Sequence, residues 1–189
     1  MNIKLLSAAL ATSIAFAGVA LAGNHGGMHD NPMVGGAAML PTKDIIDNAV
    51  NSKDHTTLVA AVKAAGLVET LKGKGPFTVF APTNAAFAAL PAGTVDTLLK
   101  PENKAMLAGI LTYHVVPGRI DAKAIAAKIK AGKGSATYAT VQGETLTFKT
   151  MGSNVTVTDS KGNRAKVAIA NVYQSNGVIH VIDKVLLPK

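Results

Sequence analysis

The chain has 189 residues, a formal net charge of +8 and no cysteine. No disulfide framework is therefore possible, and the fold must be stabilised by burial of apolar side chains. Only Arg119 and Arg164 of the 19 basic residues are arginine, and tryptophan is absent. Nucleic-acid surfaces combine clustered cations with stacking aromatic rings, so this composition argues against nucleic acid as a partner.

The N-terminus is typical of a signal peptide. Lys4 supplies the positive charge, an apolar run follows from Leu5 to Ala17, and Ala20 and Ala22 are the small residues that a signal peptidase requires. The run is shorter than the ~20 residues of a membrane-spanning helix. We therefore expect residues 1–22 to be cleaved, leaving a protein of charge +7 that does not span the membrane and is periplasmic or secreted.

Residues 23–40 are rich in glycine, histidine and methionine and show no helical or alternating apolar period. This composition predicts a flexible tail, followed by a single domain over residues 41–189. The expected size of that domain is sufficient for one hydrophobic core.

The predicted tail also suggests a copper site. Cleavage after Ala22 would place the α-amine of Gly23, the amide nitrogens of Asn24 and His25, and the His25 imidazole in one chelating run. Four nitrogens in a plane suit Cu(II), and thioethers suit Cu(I). Further ligands could come from Met28, His29, Met33 and Met39. The alternative is a leader in which these residues are incidental, with no cofactor.

Two helices are predicted after Pro41. Asp44 or Thr42 caps a run containing Ile45 and Ile46, and a second run carries four apolar residues at helical spacing. These four are Leu58, Val59, Val62 and Leu67. The segment from Gly73 to Pro76 ends this helical region.

Strand and helix alternate in the middle of the chain. Residues 77–80 read as a strand, and Thr83 and Asn84 cap a helix that runs to Leu90. Pro101 opens a helix that reaches about Leu111. Residues 113–116 read as another strand, and Asp121 caps an amphipathic helix through Ile125 and Ile129.

Beyond Gly134 the pattern changes to strands. Residues 145–149 and 155–158 alternate apolar with polar side chains between glycine-containing turns, which predicts antiparallel hairpins. Residues 165–170 and 178–182 read as further strands, and the last is the most apolar and therefore the most buried. Helices first and hairpins later indicate an α+β domain with a segregated sheet.

Three blocks in this order closely resemble the fasciclin domain. They are residues 77–87 (FTVFAPTNAAF), residues 107–116 with Tyr113-His114, and residues 175–183 (SNGVIHVID). With the intervening helices the resemblance covers nearly all of residues 41–189. It implies a wedge of two β-sheets with the N-terminal and central helices packed over it. It also implies a role in adhesion or protein contact outside the cell.

The markers of the resemblance also have local physical interpretations. The side-chain oxygens of Thr83 and Asn84 can accept from unpaired backbone donors where strand gives way to helix. Tyr113 and His114 belong to the adhesive signature of the family. As neighbours on a strand they should point to opposite faces, one buried and one exposed. His180 lies in an apolar strand and is expected to be a hydrogen-bonded core histidine.

One departure from the family concerns receptor binding. In animal members this activity is attributed to an Asp-Ile pair, and the matching positions here are Asn171 and Val172. Asn171 lacks the carboxylate that a receptor metal ion would need. We therefore do not expect receptor binding by that mechanism, and the partner class remains either an extracytoplasmic protein or a cell-surface polysaccharide.

The sequence contains no recognisable catalytic motif. It has no Gly-x-Ser-x-Gly elbow, no His-Glu-x-x-His pair and no Walker loop. We therefore predict a non-catalytic, exported module for adhesion or surface interaction. The alternative is a periplasmic copper-binding protein that uses the N-terminal tail.

Overall fold

The computed structural model describes residues 31–189. Seven α-helices occur in this part of the chain: α1 Ile45–Ala49, α2 Thr56–Ala65, α3 Val68–Lys72, α4 Asn84–Ala88, α5 Thr94–Leu98, α6 Lys104–Tyr113 and α7 Ala122–Ala131. The strands are β1 Met33–Val34, β2 Ala37–Ala38, β3 Phe77–Pro82, β4 Val115–Pro117, β5 Ala136–Ala139, β6 Thr145–Met151, β7 Asn154–Thr158, β8 Arg164–Gln174 and β9 Gly177–Ile182. None of the helices between residues 31 and 189 has the length and apolarity to cross a membrane.

The strands β3 and β9 form the centre of the fold. The strand order is β4-β3-β9-β8-β7-β6-β5, with β3 and β9 parallel and the other neighbours antiparallel. All six residues of β9 are buried, because both faces of this strand are covered. This explains why β9 reads as a continuous apolar run rather than an alternating one.

The long strand β8 joins two sheets. It pairs with β9 in one sheet and with β7 in the other, and its pairing with β9 shifts register between Val167 and Ile169 and again between Ile169 and Val172. Such irregularities bend a strand and increase its twist. The bend turns β5–β7 around a second hydrophobic core, and the Val141 amide donates to the Val115 carbonyl at 2.8 Å where the two outer strands approach.

Two hydrophobic cores lie on opposite faces of the central strands. Val79 and Ala81 of β3 belong to the first core with residues of α1, α2, α4 and α6, whereas Phe80 belongs to the second core with Phe148 and Ile125. Alternate residues of one strand thus serve different cores. This arrangement confirms the predicted α+β wedge with helices packed over the sheets.

The second predicted helix is divided at Gly66. This residue has φ +72°, its amide donates to Lys63, and the Leu67 amide donates to Val62. These bonds form a Schellman motif, which satisfies the last carbonyls of a helix and favours glycine at the left-handed position. Helix α2 therefore ends at Ala65, and Leu67 precedes the separate helix α3.

Residues 31–40 differ from the prediction of a flexible tail. Strands β1 and β2 pair as a short hairpin, and Val34 and Met39 are buried in the first core. The side chain of Asn48 also binds both backbone groups of Leu40, accepting from its amide at 2.9 Å and donating to its carbonyl at 2.7 Å. The prediction that the tail extends to residue 40 was wrong for residues 31–40, because apolar burial and these backbone bonds hold them.

Candidate functional site

The family-signature pair Tyr113 and His114 lies at the end of a helix. Tyr113 is the last residue of α6, His114 follows as its C-cap, and the strand starts only at Val115. Both side chains are buried, at 0% and 2% exposure. The expectation of a strand with one buried and one exposed side chain was wrong, because successive side chains at a helix terminus do not alternate between two faces.

His114 connects α6 to the C-terminal segment. Its Nε2 accepts from the Leu186 amide at 3.0 Å. The Nδ1 atom must then carry the proton, and it donates to the Ile110 carbonyl at 2.8 Å. Burial lowers the pKa of His114 to about 4, although the bond to Ile110 and the charge of Asp159 act in the opposite direction. A neutral histidine with both ring nitrogens occupied is a structural connector and not a proton-transfer group.

The Tyr113 hydroxyl holds two segments of the second core. It accepts from the Ser160 amide at 2.9 Å and lies 3.2 Å from the Thr145 carbonyl, to which it donates. Burial raises the pKa of this phenol. The hydroxyl is therefore used to join the turn after β7 to the start of β6.

His180 is a core histidine, as its apolar strand predicted. It is 1% exposed and stacks on Phe80 with ring centroids 5.4 Å apart. Its Nε2 donates to the Ile120 carbonyl at 2.9 Å, and the Asn171 amide donates to Nδ1 at 3.5 Å. Burial lowers the pKa of His180, so this ring is also held neutral inside the fold.

Asn171 and Val172, which replace the animal Asp-Ile pair, lie at the irregularity of β8. Asn171 has φ +61°, a backbone conformation that asparagine tolerates better than most residues. Its Oδ1 accepts from the Ala122 amide at 2.7 Å, at the first turn of α7. Val172 is 1% exposed. The Asn171 side-chain oxygen is therefore used inside the fold, and the Val172 side chain is buried.

Thr83 and Asn84 cap two different helices. The Thr83 hydroxyl accepts from the Ala86 amide at 3.2 Å at the start of α4. Asn84 instead reaches α2, where its Oδ1 accepts from the Thr57 amide at 3.0 Å and its Nδ2 donates to the Lys53 carbonyl at 2.8 Å. The predicted cap is thus present for Thr83. The expectation that Asn84 caps the same helix was wrong, because Asn84 is the first residue of α4 and its side chain connects the end of β3 to the start of α2.

Asn176 and Gly177 account for the third sequence block. Asn176 accepts from the Ile45 amide at 3.1 Å and donates to the carbonyls of Leu71 and Gly73 at 2.7 and 2.9 Å. It therefore joins the start of α1 to the end of α3. A Cβ on Gly177 would lie 2.2 Å from the Phe77 carbonyl oxygen, so only glycine permits the close approach of β9 to β3.

The proposed copper ligands Gly23, Asn24, His25, Met28 and His29 lie outside the described residues. Two methionines considered with them are described: Met33 is exposed, whereas Met39 is 2% exposed in the first core. Met39 is therefore not available as a thioether ligand in this conformation. Within residues 31–189, no three histidine or carboxylate side chains gather as a metal site.

A buried pair that sequence reasoning missed is Ser52 and His55. The Ser52 hydroxyl lies 2.9 Å from His55 Nδ1, and both side chains line a cavity in the first core together with His114. No carboxylate lines this cavity, so the histidine lacks the orienting acid of a catalytic triad. The two residues are three apart in the chain at a helix start, a pattern that gave no catalytic signal in the sequence.

The fold resembles a solved structure of an adhesion protein. A FAS1 domain pair from the insect cell adhesion molecule Fasciclin I matches with a TM-score of 0.68 and 18% identity, over 77% of this chain and 51% of that chain. At this identity the match describes the fold alone.

Sequence comparisons assign the family. Protein sll1483 of Synechocystis sp. is 54% identical over 156 residues, covering 82% of this chain and 79% of that protein. Immunogenic protein MPB70 of Mycobacterium bovis is 39% identical over 74% of this chain and 66% of its own length. The transforming growth factor-beta-induced protein ig-h3 of Sus scrofa is 38% identical over 78% of this chain, which matches only 20% of that protein. The family model of the fasciclin domain matches residues 53–188, and the chain therefore belongs to the fasciclin domain family.

Proposed function

We propose that this protein is an exported, non-catalytic module that attaches to anionic polymer at a cell surface. Fasciclin domains are known from cell adhesion and extracellular proteins. The signature side chains of this chain are used inside the fold, where His114 and His180 hold backbone groups. Contact with a partner must therefore involve the outer surface.

The observation that supports this proposal most directly is a basic sheet face. Across β6, β7 and β8, the residues Lys149, Thr156 and Lys166 are register partners, and so are Thr147, Thr158 and Arg164. The three basic residues are exposed. The intervening positions Phe148, Val157 and Ala165 are buried in the second core, so these two rows lie on the outer face of the sheet.

The part of the chain that contains these three strands also has an excess of basic residues. Residues 121–189 contain ten of the 19 basic residues and four of the 11 acidic residues. One of these acids, Asp159, is buried and accepts from the amides of Asn163 and Leu187. Asp183 is exposed beside the basic face and accepts from the Lys166 amide. A surface of one predominant sign attracts polyanions over long range, and this attraction weakens with salt.

A binding assay on a carboxylated polysaccharide such as alginate tests the proposal. The double variant Lys149→Glu/Lys166→Glu should lose most of its retention on an alginate-coated surface. The matched double variant Lys74→Glu/Lys100→Glu changes the net charge equally at exposed positions of the helical part, and it should retain more binding. Equal losses in the two variants would refute a specific face. Capture of a defined extracytoplasmic protein with no polysaccharide binding would support a protein partner instead.

As a second candidate function, we propose copper binding by the N-terminus after cleavage behind Ala22. The supporting observation is the order Gly23-Asn24-His25, which supplies four nitrogens for a square-planar Cu(II) site. Copper titration of the exported protein should give a visible d-d band that His25→Ala abolishes and His29→Ala retains. Intact mass of the exported protein identifies the cleavage position, and a first residue other than Gly23 would exclude this chelate.

A further inference from the structure

The first core contains a cavity of about 50 Å³ between the helical layer and the central strands. Its walls are mainly apolar. They include Val34 and Met39 from the N-terminal hairpin segment, Val62 from α2 and Val79 from β3. The hairpin thus contributes to the wall of this cavity as well as to the core.

Most polar groups at the cavity are already paired. His114 uses both ring nitrogens, with Ile110 and Leu186. Ser52 Oγ and His55 Nδ1 bind each other at 2.9 Å. His55 is 3% exposed, and its Nε2 has no hydrogen-bond partner among residues 31–189. Burial lowers the pKa of this ring, and the nearby Ala81 backbone partly offsets that shift. No Ala81 atom meets the geometry of a hydrogen bond with Nε2.

A buried polar atom without a partner is costly and usually indicates a water molecule or a ligand. A buried water needs two to four polar partners, whereas apolar cavities remain dry and admit small apolar molecules. Here His55 Nε2 is the single buried side-chain polar atom without a partner among residues 31–189, and most of the cavity lining is apolar. A water molecule would gain one hydrogen bond and lose most of its others.

We propose that this cavity binds one small, mainly apolar molecule whose single hydroxyl or carbonyl oxygen forms a hydrogen bond with His55 Nε2. The apolar part of the molecule would contact Val62 and Val79, and its oxygen would occupy the unpaired position on the imidazole. This binding site is separate from the basic sheet face, so it can exist whether or not that face contacts a polyanion.

NMR of the whole chain with ethanol as the probe tests this proposal. The His55 Nε2 resonance should shift saturably with ethanol. His180 provides an internal control, because it does not line the cavity and both of its ring nitrogens are already paired, and its resonances should stay in place. Absence of a saturable shift at His55 would overturn the proposal. A persistent water contact to Nε2 that ethanol does not displace would overturn it as well.

Two kinds of variant separate the hydrogen bond from the cavity. His55→Phe should weaken ethanol binding by roughly three- to tenfold, the effect of one neutral hydrogen bond, while xenon still enters the cavity. Val79→Ile fills part of the space and should abolish binding of both probes, and Val62→Ile serves the same purpose if that variant does not fold. Val157→Ile adds the same methyl group in the second core and should leave binding unchanged. Retention of ethanol by both cavity-filling variants would refute the assignment.

Discussion

The buried histidines should make the protein lose stability in mild acid. Burial lowers the pKa of His114 from 6.5 to about 4. Above pH 6.5 the ring is neutral in both the folded and the unfolded state. Between pH 6.5 and 4 the unfolded state binds a proton that the folded state does not, so the free energy of unfolding falls as the pH falls. This difference in pKa between the two states corresponds to a loss of about 3 kcal/mol in the free energy of unfolding from His114 alone. Burial also lowers the pKa values of His55 and His180, and their contributions have the same sign.

Urea denaturation between pH 7 and pH 4 measures this effect. The free energy of unfolding should decrease steadily through this window, before protonation of carboxylates such as Asp44, whose pKa is lowered, adds a further loss at lower pH. In a His114→Gln variant, whatever its absolute stability, the free energy of unfolding should fall by about 3 kcal/mol less than in the wild type between pH 7 and pH 4. A wild-type profile that is flat from pH 6.5 to 4, or an NMR titration of His114 centred near 6.5, would refute the reasoning.

Three further substitutions test the structural roles of the family markers, each by the urea midpoint at pH 7. Gly177→Ala should destabilise the fold by about 1–3 kcal/mol, because the new Cβ would meet the Phe77 carbonyl. The control Gly109→Ala should be neutral or stabilising, because a Cβ there meets nothing within 4 Å. Similar losses in both variants would show that the close approach of β9 to β3 is not the cause. Asn176→Ala should cost at least about 2 kcal/mol, because it leaves three backbone groups without their partner, and an unchanged midpoint would show that water replaces these bonds. Tyr113→Phe should lower the free energy of unfolding by about 1–2 kcal/mol, because the Ser160 amide loses its acceptor. A urea midpoint equal to that of the wild type would rule out this role.

Local sequence signals predicted most of the elements correctly where the physical cause is itself local. Asp44 and Asp121 cap α1 and α7 as expected, each accepting from an amide three residues later. The alternation in residues 145–149 and 155–158 correctly gave paired strands with Phe148 and Val157 inside. The division of α2 from α3 was missed although its signal was present, since glycine at position 66 is the residue that a Schellman motif requires.

Long-range contacts decided what the local patterns could not. Residues 31–40 have the composition of a tail, yet Asn48 holds Leu40 and the first core takes up Val34 and Met39. The pairing of β3 with β9 brings together segments about a hundred residues apart in parallel, and no local pattern carries information on such a register.

The amino-acid sequence by itself determined the family, the α+β class, the positions of most helices and strands, and the core location of His180, because capping residues, glycine and apolar periodicity act within a few residues. Only the tertiary structure decided that Tyr113 and His114 are both buried, that Asn84 caps α2, and that His55 Nε2 is left without a partner beside a cavity among residues 31–189. Each of these depends on which distant backbone group a side chain meets after the two cores have closed. Burial, the largest contribution, then lowers the pKa of all three buried histidines against opposing hydrogen bonds and charges.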